Sequence, residues 1–185
     1  MKYVVLAAIA ALGIGWLNWH HAKVAEQQNV YGLIASALAG RDVHVHCQSS
    51  VAAAFDTSGE AGTVQFDAAG RPADSTNLMH GVCDALSHFK ADLSTPQFQC
   101  VVQNVACDDR SFQDVQAVHT LAHESAHLSG LESESQAECR ALQTTAFVAQ
   151  RLGADDLQAN AVAQYAYRHL YPNLPAEYQS AGCYP

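Results

Sequence analysis

A chain of 185 residues, 49% of them hydrophobic, can bury one proper core but has no room for a second large domain. Its formal net charge is -9 at pH 7, and its nine Lys and Arg residues form no cluster and do not interleave with aromatics. That balance excludes nucleic acid as a partner.

The chain opens on an apolar segment. Lys2 precedes an uncharged run from Tyr3 to Leu17 and the sequence turns polar at Asn18, the pattern of a signal anchor or signal peptide over residues 1–22. Trp16, Trp19, His20 and His21 occupy the place where a small-x-small cleavage site would fall. Retained anchoring is therefore expected, with the indoles near the membrane interface. Residues 23–185 then form a single extracytoplasmic domain on a single-pass anchor, or a secreted one if the segment is cleaved.

From Lys23 to Ala39 the spacing of Val24, Tyr31, Leu33, Ile34 and Leu38 predicts a helix that Gly40 stops. Asp42 to Gln48 alternates, placing Val43, Val45 and Cys47 on one face of a half-buried strand, with His44 and His46 outside it. Ser49 to Gly62 reads as a loop, Thr63 to Asp67 as a second strand, and Ala68 to Ser75, with Gly70 and Pro72, as a turn. Leu78 to Phe89 is expected to be a helix facing Val82, Leu86 and Phe89 inward.

Phe112, Val115, Val118, Leu121, Ala122 and Leu128 recur at helical spacing without a proline, and Gly130 ends that helix because glycine tolerates a left-handed C-cap. Ser133 with Gln136 reads as a capping box opening a second helix through Glu134, Ala137, Leu142, Phe147 and Val148 toward Gly153. The two make a tight antiparallel hairpin. Another helix, Ala154 to Leu170, leads into an irregular tail from Tyr171-Pro172. This order predicts an α+β fold: a mainly helical, compact domain with a small antiparallel sheet and a helical hairpin, preceded by an N-terminal apolar helix.

All six cysteines follow the apolar run, and an even count in an exported domain suggests up to three disulfides. Cys100 with Cys107 would close a local loop, and Cys139 with Cys183 would tie the second hairpin helix to the tail. No C-x-x-C pair exists, which argues against a zinc–thiolate site, although Cys139 stays open as a metal ligand.

The chemistry concentrates in the hairpin. His123-Glu124-Ser125-Ala126-His127 is an H-E-x-x-H arrangement; residues four apart stack on one helical face, so both imidazoles can meet one ion with Glu124 beside them as general base. Antiparallel packing puts Glu134 opposite His127 and Glu138 opposite His123. Glu134 is the expected third ligand; Glu138 is expected to orient an imidazole and remains the alternative ligand. His119 extends the row by another turn, too far to share a tetrahedral ion, and reads as a surface or pocket-wall histidine.

Here the segment resembles the gluzincin metallopeptidases, HExxH zinc enzymes whose second helix carries a glutamate ligand in N-E-x-x-S-D or E-x-x-A-D motifs. Ser133-Glu134-Ser135-Gln136-Ala137-Glu138 matches that pattern with Glu as its last acid. The stretch is also similar to the H-E-S-x-H-L-x-G … E-C-x-A-L-Q segment of uncharacterised actinobacterial exported proteins with a predicted peptidase site. The resemblance runs from Val115 to Gly153. Gluzincins leave a longer gap before the glutamate, and the short loop here looks more like metzincins. Gly130 fits the metzincin glycine, but Ser133 stands at the third-histidine position and no Met-turn follows.

The resemblance implies a zincin-like fold and an extracytoplasmic zinc metalloendopeptidase, with one zinc per chain on His123, His127 and Glu134 and water in the fourth position. It also implies an edge strand that pairs with extended substrate, for which Gly62 to Phe66 is the candidate. Tyr165, Tyr167, His169 and Tyr178 are candidates for the oxyanion donor that peptide cleavage needs. The alternative reading is a catalytically inactive peptidase-like envelope domain that binds peptide or protein; a disulfide-stapled structural domain is the third.

Overall fold

The computed structural model describes residues 25–53 and 60–184. The expected apolar N-terminal helix lies outside the described residues, and among those described no helix is long and apolar enough to cross a membrane. The chain runs α1 (25–39), β1 (His44–Cys47), α2 (Ser50–Ala53), β2 (Gly62–Phe66), β3 (Pro72–Leu78), α3 (His80–Asp92), α4 (Gln99–Gln103), α5 (Asp109–Leu128), α6 (Glu134–Arg151) and α7 (Asp156–Tyr165). A π-helical turn, Ala166–Leu170, and two short 3-10 turns complete it. The architecture is mostly helical with one small sheet, as the α+β reading requires.

Helix α5 is the axis of the domain. Asp108 caps it, its carboxylate accepting from the Ser111 N–H at 2.8 Å, so the helix starts earlier than its apolar spacing suggests. From Val115 to Leu128 every residue but Gln116 is buried, because α3, α6 and the sheet enclose it. A one-sided apolar stripe would need only one packing partner. Here the small or polar side chains of Ala117, Thr120, Ser125 and Ala126 let neighbours approach on the remaining faces. Phe89 of α3 meets Phe98 edge-to-face at 5.9 Å beside this axis, and α7 packs on α6.

Gly130 ends α5 as expected, at φ 105°. Its N–H reaches the His127 carbonyl at 2.9 Å and that of Leu131 reaches Ala126 at 3.3 Å, a Schellman closure that turns the chain straight into α6. The expected capping box does not form: Ser133 stands at the N-cap, but its hydroxyl lies 3.2 Å from that of Ser135. A capping box does form at α7, between Asp155 and Gln158.

The sheet is mixed, where an antiparallel one was expected. Its order is β1-β3-β2, with β1 parallel and β2 antiparallel to β3. The central strand β3 occupies part of the expected turn. Pro72 sits at its first residue, where a missing N–H costs least, and only Thr76 and Leu78 of the strand are buried, so no apolar alternation announces it. β3 lies between β1 and β2, so β1 and β2, consecutive in the chain, do not pair with each other.

The disulfides are Cys47–Cys83, Cys100–Cys107 and Cys139–Cys183. The two expected pairs are present, and Cys139, being bonded to Cys183, is not a metal ligand.

Candidate metal centre

The hairpin brings His123, His127 and Glu134 together, one ligand atom of each lying within 4.8 Å of the others. Glu134 Oε2 is 3.1 Å from His123 Nε2 and 3.3 Å from His127 Nε2, and the two nitrogens are 3.0 Å apart. Their tautomers follow from what stands behind each ring. His127 Nδ1–H donates to the Leu131 carbonyl at 2.6 Å, so the Schellman turn that ends α5 also orients this imidazole. His123 Nδ1–H donates to Glu138 Oε2 at 3.0 Å.

Both Nε2 lone pairs therefore converge on a carboxylate oxygen. Three electron pairs at this separation repel unless a proton or a cation sits among them. Burial opposes a charge on His123, but its hydrogen bonds with Glu134 and Glu138 and the charge of Glu124 prevail and push its pKa up to about 9. Hydrogen bonding from His123 comes first among the causes that hold the Glu134 pKa below the usual carboxylate range. The pocket thus prefers a positive charge at the point of convergence, and the group could hold a metal ion. Two imidazoles and one carboxylate suit a borderline divalent ion.

Glu138 does not join the group. It is 2% exposed, and its other oxygen, Oε1, accepts from His119 Nε2–H at 2.8 Å. Burial would raise its pKa, but the charge and hydrogen bond of His119 and those of His123 outweigh it and bring it down to about 2. It therefore backs the His123 ring as an ionised acceptor. His119 lines the cavity wall, as expected, but is buried and so not a surface residue.

Glu124 is 4% exposed and points toward the sheet side of the group. Its Oε2 lies 3.1 Å from the Thr76 hydroxyl, which is also 2.9 Å from the Thr63 carbonyl and shares one proton between them. Burial pushes the Glu124 pKa up to about 7, against the lowering influence of His123 and Thr76. Gly62 on β2 makes room for it: a Cβ there would fall 2.7 Å from Cγ, Cδ and Oε1 of Glu124. Neither Thr76 nor Gly62 carries a local sequence signal, because both reach Glu124 across the fold.

A cavity of about 470 Å³ opens over the group between β2 and the tail. Phe66 of β2 sets its ring edge-on to His127 at 6.0 Å, and the Tyr178 ring lies 5.7 Å from that of His123. Of the four residues considered as oxyanion donors, Tyr178 alone lines this cavity. The Tyr165 hydroxyl accepts from the Cys107 N–H at 3.2 Å, His169 stacks on Tyr165 beside Asn104, and Tyr167 stacks on Tyr171. His44 and His46 stay on the exposed face of β1, away from the group.

No protein-family model matches this chain, and neither does any curated protein or solved structure.

Proposed function

We propose that the chain is an extracytoplasmic zinc-dependent metalloendopeptidase, with His123, His127 and Glu134 holding one zinc ion and Glu124 acting as general base. The observation that carries this reading is the convergence of three electron pairs beside a buried carboxylate, at the floor of an open cavity. When bound, zinc would polarise the scissile carbonyl and bring the pKa of water toward about 7. Glu124 takes the proton from the attacking water and passes it to the departing amine, a role suited by a pKa of about 7. Of the four candidates, Tyr178 is the one whose place in the cavity would let it donate to the developing oxyanion. The outer strand β2 lines the cavity and offers its backbone to an extended peptide. Three disulfides fit an oxidising compartment, and membrane attachment through residues 1–22 belongs to the same proposal.

Elemental analysis of the full-length chain beside a His123→Ala/His127→Ala variant tests the metal, and peptide turnover by Glu124→Gln tests the base. One zinc per wild-type chain, lost in the double variant, with turnover lost in a zinc-loaded Glu124→Gln, is the expected result. A folded, oxidised wild type that takes up no zinc sinks the reading. Zinc without hydrolysis of any peptide in a mixed library leaves a peptide-binding domain instead.

A further inference from the structure

The hydrogen bonds behind His123 continue one step beyond Glu138. His119 Nε2–H donates to Glu138 Oε1 at 2.8 Å and His119 Nδ1 lies 2.8 Å from the Thr145 hydroxyl, so four side chains form a row: Thr145, His119, Glu138 and His123. They come alternately from α6 and α5 and lace the two helices together. All four are buried: Thr145 is 0% exposed, Glu138 2%, His119 6% and His123 9%.

We propose that His119 is a positioning residue for the metal group: through Glu138 it holds the His123 ring in the tautomer and orientation that present Nε2 to Glu134 and His127. This rests on the reading of His123, His127 and Glu134 as metal ligands. A buried carboxylate needs donors on its oxygens, since desolvation leaves it few other sources of stabilisation. Glu138 has one imidazole donor on each oxygen, which fixes the plane of the carboxylate as well as its place. Removing His119 strips Oε1 of its donor. The freed carboxylate can then turn, and the Nδ1–H bond that sets the His123 ring turns with it. Apolar packing does not require imidazole at position 119, because an aromatic ring of similar shape would fill the same space.

Loss of a partner directly behind a ligand weakens metal binding by about 10- to 100-fold, and one bond further out the effect should lie near the lower figure. The experiment uses the full-length chain and the metal alone. Zinc affinity is measured by competition with a chromogenic chelator, and the visible spectrum of the cobalt-substituted protein reports ligand geometry. His119→Phe should weaken zinc about tenfold and alter the cobalt bands, while His119→Gln, whose amide can still donate to Glu138, should restore most of both. Combining His119→Phe with Glu138→Gln should cost little more than Glu138→Gln alone, because the two act in series. If His119→Phe fails to fold, His119→Gln and Thr145→Val carry the comparison, with Thr145→Val expected to weaken zinc severalfold. Wild-type zinc affinity and cobalt bands in every folded position-119 and position-145 variant overturn the proposal, as do fully multiplicative effects in the double variant. A wild-type chain that binds neither metal overturns it together with the metal-centre reading, an outcome distinct from the other two.

Discussion

Replacing Gly62 with alanine would put a methyl carbon 2.7 Å from Cγ, Cδ and Oε1 of Glu124. Carbon atoms pack at about 3.5–4.0 Å, so something must give by roughly 1 Å. The β2 backbone is pinned by its pairing of Gly62 with Leu78, and α5 is enclosed, which leaves the Glu124 carboxylate as the part free to move. Swinging away costs it the 3.1 Å contact with Thr76. Overpacking together with that lost bond should destabilise the domain by about 1–3 kcal/mol, or roughly 2–4 °C in Tm per kcal/mol. With Glu124 in its proposed role, a displacement of about 1 Å should cost turnover about 100-fold. Zinc content should stay at the wild-type level, because the atoms nearest the new methyl group all belong to Glu124 and none to His123, His127 or Glu134, the proposed ligands. Peptide turnover, elemental analysis and thermal unfolding are measured on Gly62→Ala beside Gly81→Ala, whose added Cβ meets nothing within 4 Å. The control should be neutral or slightly stabilising. Wild-type turnover in Gly62→Ala, or loss of its zinc, would refute the argument that this glycine exists to seat Glu124.

Asp114 is 2% exposed, and burial together with the charge of Asp92 pushes its pKa up to about 7. It is therefore protonated in the folded state where the unfolded chain has already ionised, so stability should fall as pH rises from about 4 to 7. Asp114→Asn should flatten that slope and be the more stable protein at pH 8 by chemical denaturation; parallel pH profiles would contradict this. The Cys139–Cys183 bridge holds the tail that carries Tyr178 to α6. Cys183→Ser should cost about 2–4 kcal/mol and expose the chain beyond Leu170 to limited proteolysis; an undiminished Tm with an uncut tail would show that the tail docks without it. Tyr178→Phe should lower kcat by about 100-fold and leave zinc affinity unchanged if its hydroxyl meets the oxyanion; an unchanged kcat would remove it from the chemistry.

The hairpin was legible in the sequence because its determinants are local. Helical spacing, Gly130 and the H-E-x-x-H pattern put His123, His127 and Glu134 on facing surfaces, and the structure brings those three together. The nearness of Glu138 to the His123 ring followed from the same register. What escaped notice depends on contacts distant in sequence. β3 shows no apolar alternation because only Thr76 and Leu78 of it are buried, and Thr76 has no local mark of the contact it makes with Glu124. Gly62 gave no sign that Glu124 would lie against it. The pocket-wall place of His119 agrees with its spacing, but one i, i+4 row on one helix cannot show what the opposite helix supplies at Glu138 and Thr145.

Contacts of such different range form at different stages as the molecule matures. His123, His127 and Glu134, together with His119 and Glu138, fall in one stretch from His119 to Glu138, closed by a single short turn. The seat of Glu124, by contrast, is built from Gly62 and Thr76, the nearer of which lies 48 positions away along the chain. Short-range contacts close sooner than long-range ones. A cation captured by the nascent hairpin would then be in place, and would help hold the two helices together, before the sheet docks. The carboxylate gains its seat only at that later step, so the His–Glu group would be assembled before Glu124 is placed.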